Sequence, residues 1–120
     1  MIYYPTDGSG RITRVIEQHR NELAALCQRF KVRRLELFGS GATDRFDPRR
    51  SDLDFLVEFQ RLRAGERGSS YFGLLAALRS LLGRPVDLVE PEAVSNPYFM
   101  KGIQQSRMLL YEAPIEEAPV

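Results

Sequence analysis

Apolar residues at Ile12, Ile16, Leu23, Leu26 and Phe30, widened by Val15 and Cys27, recur at the spacing of one helix face, so a helix is predicted after the turn-rich opening of Pro5, Gly8 and Gly10. From Val32 to Phe38 the period changes to two, with Leu35 and Leu37 on one side and Arg34 and Glu36 on the other, and the run stops at Gly39-Ser40-Gly41. That predicts a strand ending in a tight turn. The polar stretch from Asp44 to Ser51 reads as a loop, and Leu53 to Phe59 alternates again as a second strand. Gln60 to Gly68 is charged and punctuated by glycine. Ser69 or Ser70 can then cap a helix that turns Leu74, Leu75, Leu78, Leu81 and Leu82 inward until Gly83 stops it. Val86 to Val89 is a short apolar strand. Asn96 and Pro97 open a third helix carrying Phe99 and Ile103, and Met108 to Tyr111 adds a last short strand. The order of elements predicts an α/β fold in which helices pack on a small mixed sheet of about four strands.

The chain has 120 residues, which suits one domain, here residues 1–112 followed by a flexible tail over 113–120. Seventeen Lys and Arg against sixteen Asp and Glu leave a net charge of +1, so no electrostatic case arises for direct nucleic-acid binding. Cys27 is the only cysteine; it excludes an internal disulfide and reads as a small buried hydrophobe. His19 falls on the first helical stripe with no candidate partner nearby, and reads as a helix-edge residue. No apolar run reaches the length of a membrane span and the first residues do not resemble a signal peptide, so no membrane association is expected and the location reads as cytoplasmic.

Against this ordinary background three carboxylates stand out. In the second strand Leu53, Phe55, Val57 and Phe59 share one face, and Asp52, Asp54, Leu56 and Glu58 share the other. Asp52 and Asp54 then project together with Cα atoms about 6 to 7 Å apart. Two carboxylates so placed repel unless a cation lies between them, and a hard ion such as magnesium suits oxygen ligands. The pair alone is weak evidence, because solvated carboxylates at strand ends are common. Gly39-Ser40, following one strand where Asp52 and Asp54 open the next, adds a turn whose backbone can approach a phosphate closely. Asp87 lies inside the apolar run Val86 to Val89, where a carboxylate is unfavourable unless exposed at an edge or bound to something. It can join the other two if its strand pairs beside theirs, roughly 5 Å away. Neither a P-loop nor an EF-hand fits the spacing.

Gly39-Ser40, then Ser51-Asp52-Leu53-Asp54-Phe55-Leu56-Val57, then Val86-Asp87-Leu88-Val89 resembles the signature of the minimal nucleotidyltransferases of the DNA polymerase β superfamily. The resemblance runs from the first strand to the third, and weakly to Leu109-Leu110-Tyr111-Glu112. It implies a polymerase β-like nucleotidyltransferase fold and transfer of AMP from ATP. In that scheme two magnesium ions are held by Asp52, Asp54 and Asp87, with Asp87 also positioning the attacking group, and the ATP phosphates are held by Gly39 and Ser40. Small members of this family resemble the antitoxin of a two-gene system whose toxin is a HEPN-domain RNase, silenced by attachment of AMP to a tyrosine, so a HEPN-domain partner is implied. After Gly39-Ser40 the family often carries arginines around an alanine followed by glycine, whereas this chain reads Gly41, Ala42, Thr43 and Asp44. One phosphate contact is thereby weakened, and Arg45, Arg49 and Arg50 are the nearby cations. Two other functions use the same fold: transfer to a small molecule of the aminoglycoside kind, and an antitoxin that neutralises its partner by binding alone.

Overall fold

The alternating segments pair into one sheet, with strands β1 (Val32–Phe38), β2 (Leu53–Phe59), β3 (Val86–Val89) and β4 (Met108–Glu112) in the order β3-β2-β1-β4. The computed structural model describes residues 15–38, 53–91 and 107–114. β1 pairs antiparallel with β2 and with β4, and β2 pairs parallel with β3, so the sheet is mixed, as the alternation and element order predict. The bounds of the first three strands coincide with the apolar runs, and β4 runs one residue beyond the predicted end. Pairing along β1 continues past β4, because the Ala113 N–H donates to the Arg33 carbonyl at 2.8 Å and Ala113 packs on the core.

Among the described residues two helices cover one face of this sheet. Residues 15–18 are helical, a turn intervenes at His19, and α1 (Arg20–Arg29) follows. Ile16, Leu23 and Cys27 point inward from this segment and are fully or almost fully buried. α2 (Glu66–Leu82) turns Leu74, Leu78 and Leu82 inward, with Leu75 and Leu81 half-buried beside them. From the sheet the same core receives Leu35, Leu37, Leu53, Phe55, Val57, Val86, Leu88 and Leu110. Burial of an aliphatic side chain contributes about 1.5 to 3 kcal/mol, so this core is a large source of stabilisation. Where α1 crosses α2 the helices meet at Gly73: a Cβ there would lie 2.5 Å from Cε1 of Phe30.

α2 begins three to four residues before the serines expected to cap it. Its N-cap is Gly65, held at φ 88°, a conformation that costs a residue with a Cβ about 1 to 2 kcal/mol. The entry is a turn in which the Glu66 N–H donates to the Arg63 carbonyl at 3.0 Å while the Arg63 N–H donates to Glu66 Oε1 at 2.9 Å. Lys31 Nζ adds an ion pair to Glu66 at 2.8 Å. This bond from Lys31, followed by that from Arg63, holds the Glu66 carboxyl below the usual carboxylate range. Lys31 comes from a remote part of the sequence. At the other end Gly83 adopts φ 64° and ends the helix as predicted, its N–H donating to the Arg79 carbonyl at 2.9 Å. The third helix expected from Asn96 and the loop from Asp44 to Ser51 lie outside the described residues.

Candidate active site

Register, rather than proximity in sequence, places the site. β2 and β3 run parallel with Asp54 opposite Asp87, while β1 runs antiparallel with Phe38 opposite Asp54. Side chains directly opposite in paired strands point to the same face. Leu53 and Phe55 of β2, and Val86 and Leu88 of β3, face the core, so Asp54 and Asp87 face the other way together. Adjacent strands are about 4.8 Å apart, which brings the two carboxylates within the span of one or two bound cations. Asp54 is half-buried and Asp87 is exposed. Phe38, Leu56 and Val89 form a small apolar cluster on the same face and give the carboxylates a dry floor.

Asp54 and Asp87 line a cleft of about 410 Å³, with Phe38 and Val89 from the sheet and Tyr71, Leu75 and Arg79 from α2. Among the described residues no group of three His, Cys, Asp or Glu is placed to hold a metal ion, the described part of the site offering two carboxylates. Their chemistry fits a hard divalent ion, because both donors are oxygen anions and no cysteine or histidine accompanies them in the cleft. The other sequence candidates, Gly39, Ser40 and Asp52, lie outside the described residues. In the chain Gly39 follows Phe38 and Asp52 precedes Leu53, the ends of β1 and β2 that border the cleft.

Two features of this face escape sequence reasoning. Glu36 is 4% exposed, although alternation assigns it to the side away from the core. Arg107, immediately before β4, grips it with Nε to Oε2 at 2.7 Å and Nη2 to Oε1 at 2.5 Å. Arg34 Nε lies 3.0 Å from Oε1 but out of hydrogen-bonding alignment, so it contributes charge more than a directed bond. The hydrogen bond to Glu36 raises the pKa of the Arg107 guanidinium further. The second feature is the contact of Tyr71 and Arg79 with β3. Tyr71, Leu75 and Arg79 are spaced four residues apart, so they share a helix face, and this spacing is the one sequence signal that could have found them.

A family model described as the nucleotidyltransferase domain matches residues 19–110, and the chain belongs to that family. A relative from Methanocaldococcus jannaschii, provisionally named a protein adenylyltransferase, is 32% identical over 94 residues, covering 78% of this chain and 89% of its own length. A solved structure described provisionally as a minimal nucleotidyltransferase superposes with a TM-score of 0.65 at 29% identity, covering 84% of this chain and 98% of that one. A chain of the complex between the tri-AMPylated Shewanella oneidensis HEPN toxin and its MNT antitoxin superposes at 0.56 and 19% identity, covering 82% of this chain and 73% of that one, a likeness of fold. The resemblance read from Gly39-Ser40, Asp52-x-Asp54 and Asp87 therefore leads to the right family, and the protein is a nucleotidyltransferase of the minimal kind.

Proposed function

We propose that this chain transfers AMP from ATP to a tyrosine hydroxyl of a HEPN-domain partner and acts in the cytoplasm as the antitoxin of that pair. The observation that carries the reading is the register of Asp54 opposite Asp87 on one face of the sheet, inside a cleft, in a chain of the nucleotidyltransferase family. A relative named for protein adenylylation, and a fold neighbour in a complex whose toxin carries AMP, support a protein as the acceptor.

In this reading Asp54, Asp87 and Asp52 hold magnesium, two ions in all, and Gly39 and Ser40 hold the phosphates of ATP. Bound magnesium neutralises the triphosphate and eases loss of the acceptor proton. The chain's own task is placement. Parallel pairing of β2 and β3 keeps the two carboxylates side by side, and the apolar floor of Phe38, Leu56 and Val89 excludes water beneath them. The acceptor oxygen forms a bond to the α-phosphorus as the bond to pyrophosphate breaks, and Asp87, at the exposed edge strand, positions that oxygen.

The test is intact mass spectrometry of a candidate HEPN-domain partner after incubation with this protein, ATP and magnesium. Gains of one or more AMP units that vanish with Asp54→Ala and Asp87→Ala support the reading. A partner neutralised without any gain in mass points to an antitoxin that works by binding alone.

A further inference from the structure

We infer that Tyr71 and Arg79 are positioning residues that clasp the side of β3 away from β2 and hold Asp87 in register with Asp54, an inference that rests on the metal-site reading above. β3 has four residues and, among the described residues, one neighbour in the sheet, β2. Backbone carbonyls of a strand point alternately to either side. The Pro85 carbonyl accepts the Leu53 N–H at 3.2 Å and so points toward β2. By alternation the Val86 and Leu88 carbonyls point away from the sheet, one on each side of Asp87.

Both outward carbonyls are taken by α2. Arg79 donates Nε at 3.3 Å and Nη2 at 3.1 Å to the Val86 carbonyl, and the Tyr71 hydroxyl donates to the Leu88 carbonyl. The peptide that precedes Asp87 and the one that follows Leu88 are thus fixed to a helix whose Leu74 and Leu78 are fully buried in the core. This matters at an edge strand so short, because like charges placed directly opposite across paired strands are destabilising. Partners that orient a metal-binding side chain without touching the metal typically change affinity by about 10- to 100-fold.

Charge and position predict opposite signs, which makes the inference testable. Arg79 lines the same cleft as the two carboxylates and repels a cation there. If it acted through charge alone, Arg79→Met would tighten binding of a divalent ion. If it acts through position, Arg79→Met weakens it, and Arg79→Lys, which keeps the charge but loses the paired donors, weakens it also. The experiment titrates Mn2+ into the full chain and into Tyr71→Phe, Arg79→Met, Arg79→Lys and the Tyr71→Phe, Arg79→Met double variant. Leu26→Ala serves as a control destabilised far from the cleft. The expected result is a loss of affinity of about tenfold in the double variant and little change in the control. Unchanged or tighter binding in the double variant, or an equal loss in the control, overturns the inference. Hydrogen exchange of the β3 amides gives a readout independent of metal. Faster exchange there alone in the double variant supports the clasp, and unchanged exchange overturns it. Absence of Mn2+ binding by the unmutated chain sinks the metal-site reading, and the exchange measurement then judges the clasp by itself.

Discussion

Cys27 is fully buried on α1, and burial pushes its thiol up from 9.0 to about 12. A group whose pKa is higher in the folded state contributes stability that is complete below the unfolded pKa and is lost as pH rises through the folded value, so the window here runs from about 9 to about 12. Denaturant titrations at pH about 8 and about 10.5 should show the unmutated chain losing about 2 kcal/mol more than Cys27→Ala between the two conditions. Equal losses would mean that the thiol titrates normally. The same burial predicts that a thiol reagent modifies Cys27 at neutral pH only as fast as the chain unfolds. At Glu36 the residue scale tells a different story, since its buried carboxylate is met by two arginines.

That ion pair acts on elements, because Glu36 is central in β1 and Arg107 leads into β4. Losing one partner of a buried pair costs about 3 to 5 kcal/mol, and Arg107 is 30% exposed, so Arg107→Ala should cost about 2 kcal/mol. Replacing both, as Glu36→Leu with Arg107→Leu, should recover most of that loss, as thermal or chemical denaturation can show; a double variant no better than the single one would locate the value of the pair elsewhere. Gly83 sets the end of α2 and the angle at which the chain enters β3. At φ 64° a side chain is strained, so Gly83→Ala should lower stability by about 1 kcal/mol even though its Cβ would meet open space. A neutral effect would show that the turn before β3 relaxes freely.

At the scale of the whole molecule the sheet carries stability on one face and the proposed chemistry on the other. Like charges directly opposite across paired strands cost stability, on the order of 1 kcal/mol or less. Asp87→Asn should therefore melt slightly higher than the unmutated chain without metal, and transfer AMP on the order of 10³-fold more slowly. Magnesium should raise the melting temperature of the unmutated chain and leave that of the variant nearly unchanged. A variant that melts lower without metal and still responds to magnesium would remove Asp87 from the site.

The strands and helices around the core were legible because apolar period and run length are local properties: β1 and β2 fall where alternation begins, and β3 on its short apolar run. Gly83 was legible for the same reason, since a left-handed helix end favours glycine. The motif pieces around Gly39, Asp52, Asp54 and Asp87 named the family because their spacing is written along the chain. Three things needed tertiary structure. These are the meeting of Lys31 with Glu66 at the start of α2, the burial of Glu36 against Arg107 from the far end of the chain, and the contact of Asp54 with the Asp87 strand through a parallel pairing that the α2 crossover allows. Local periodicity determines which residues face inward, whereas the pairing of strands remote in sequence determines which outward-facing residues meet.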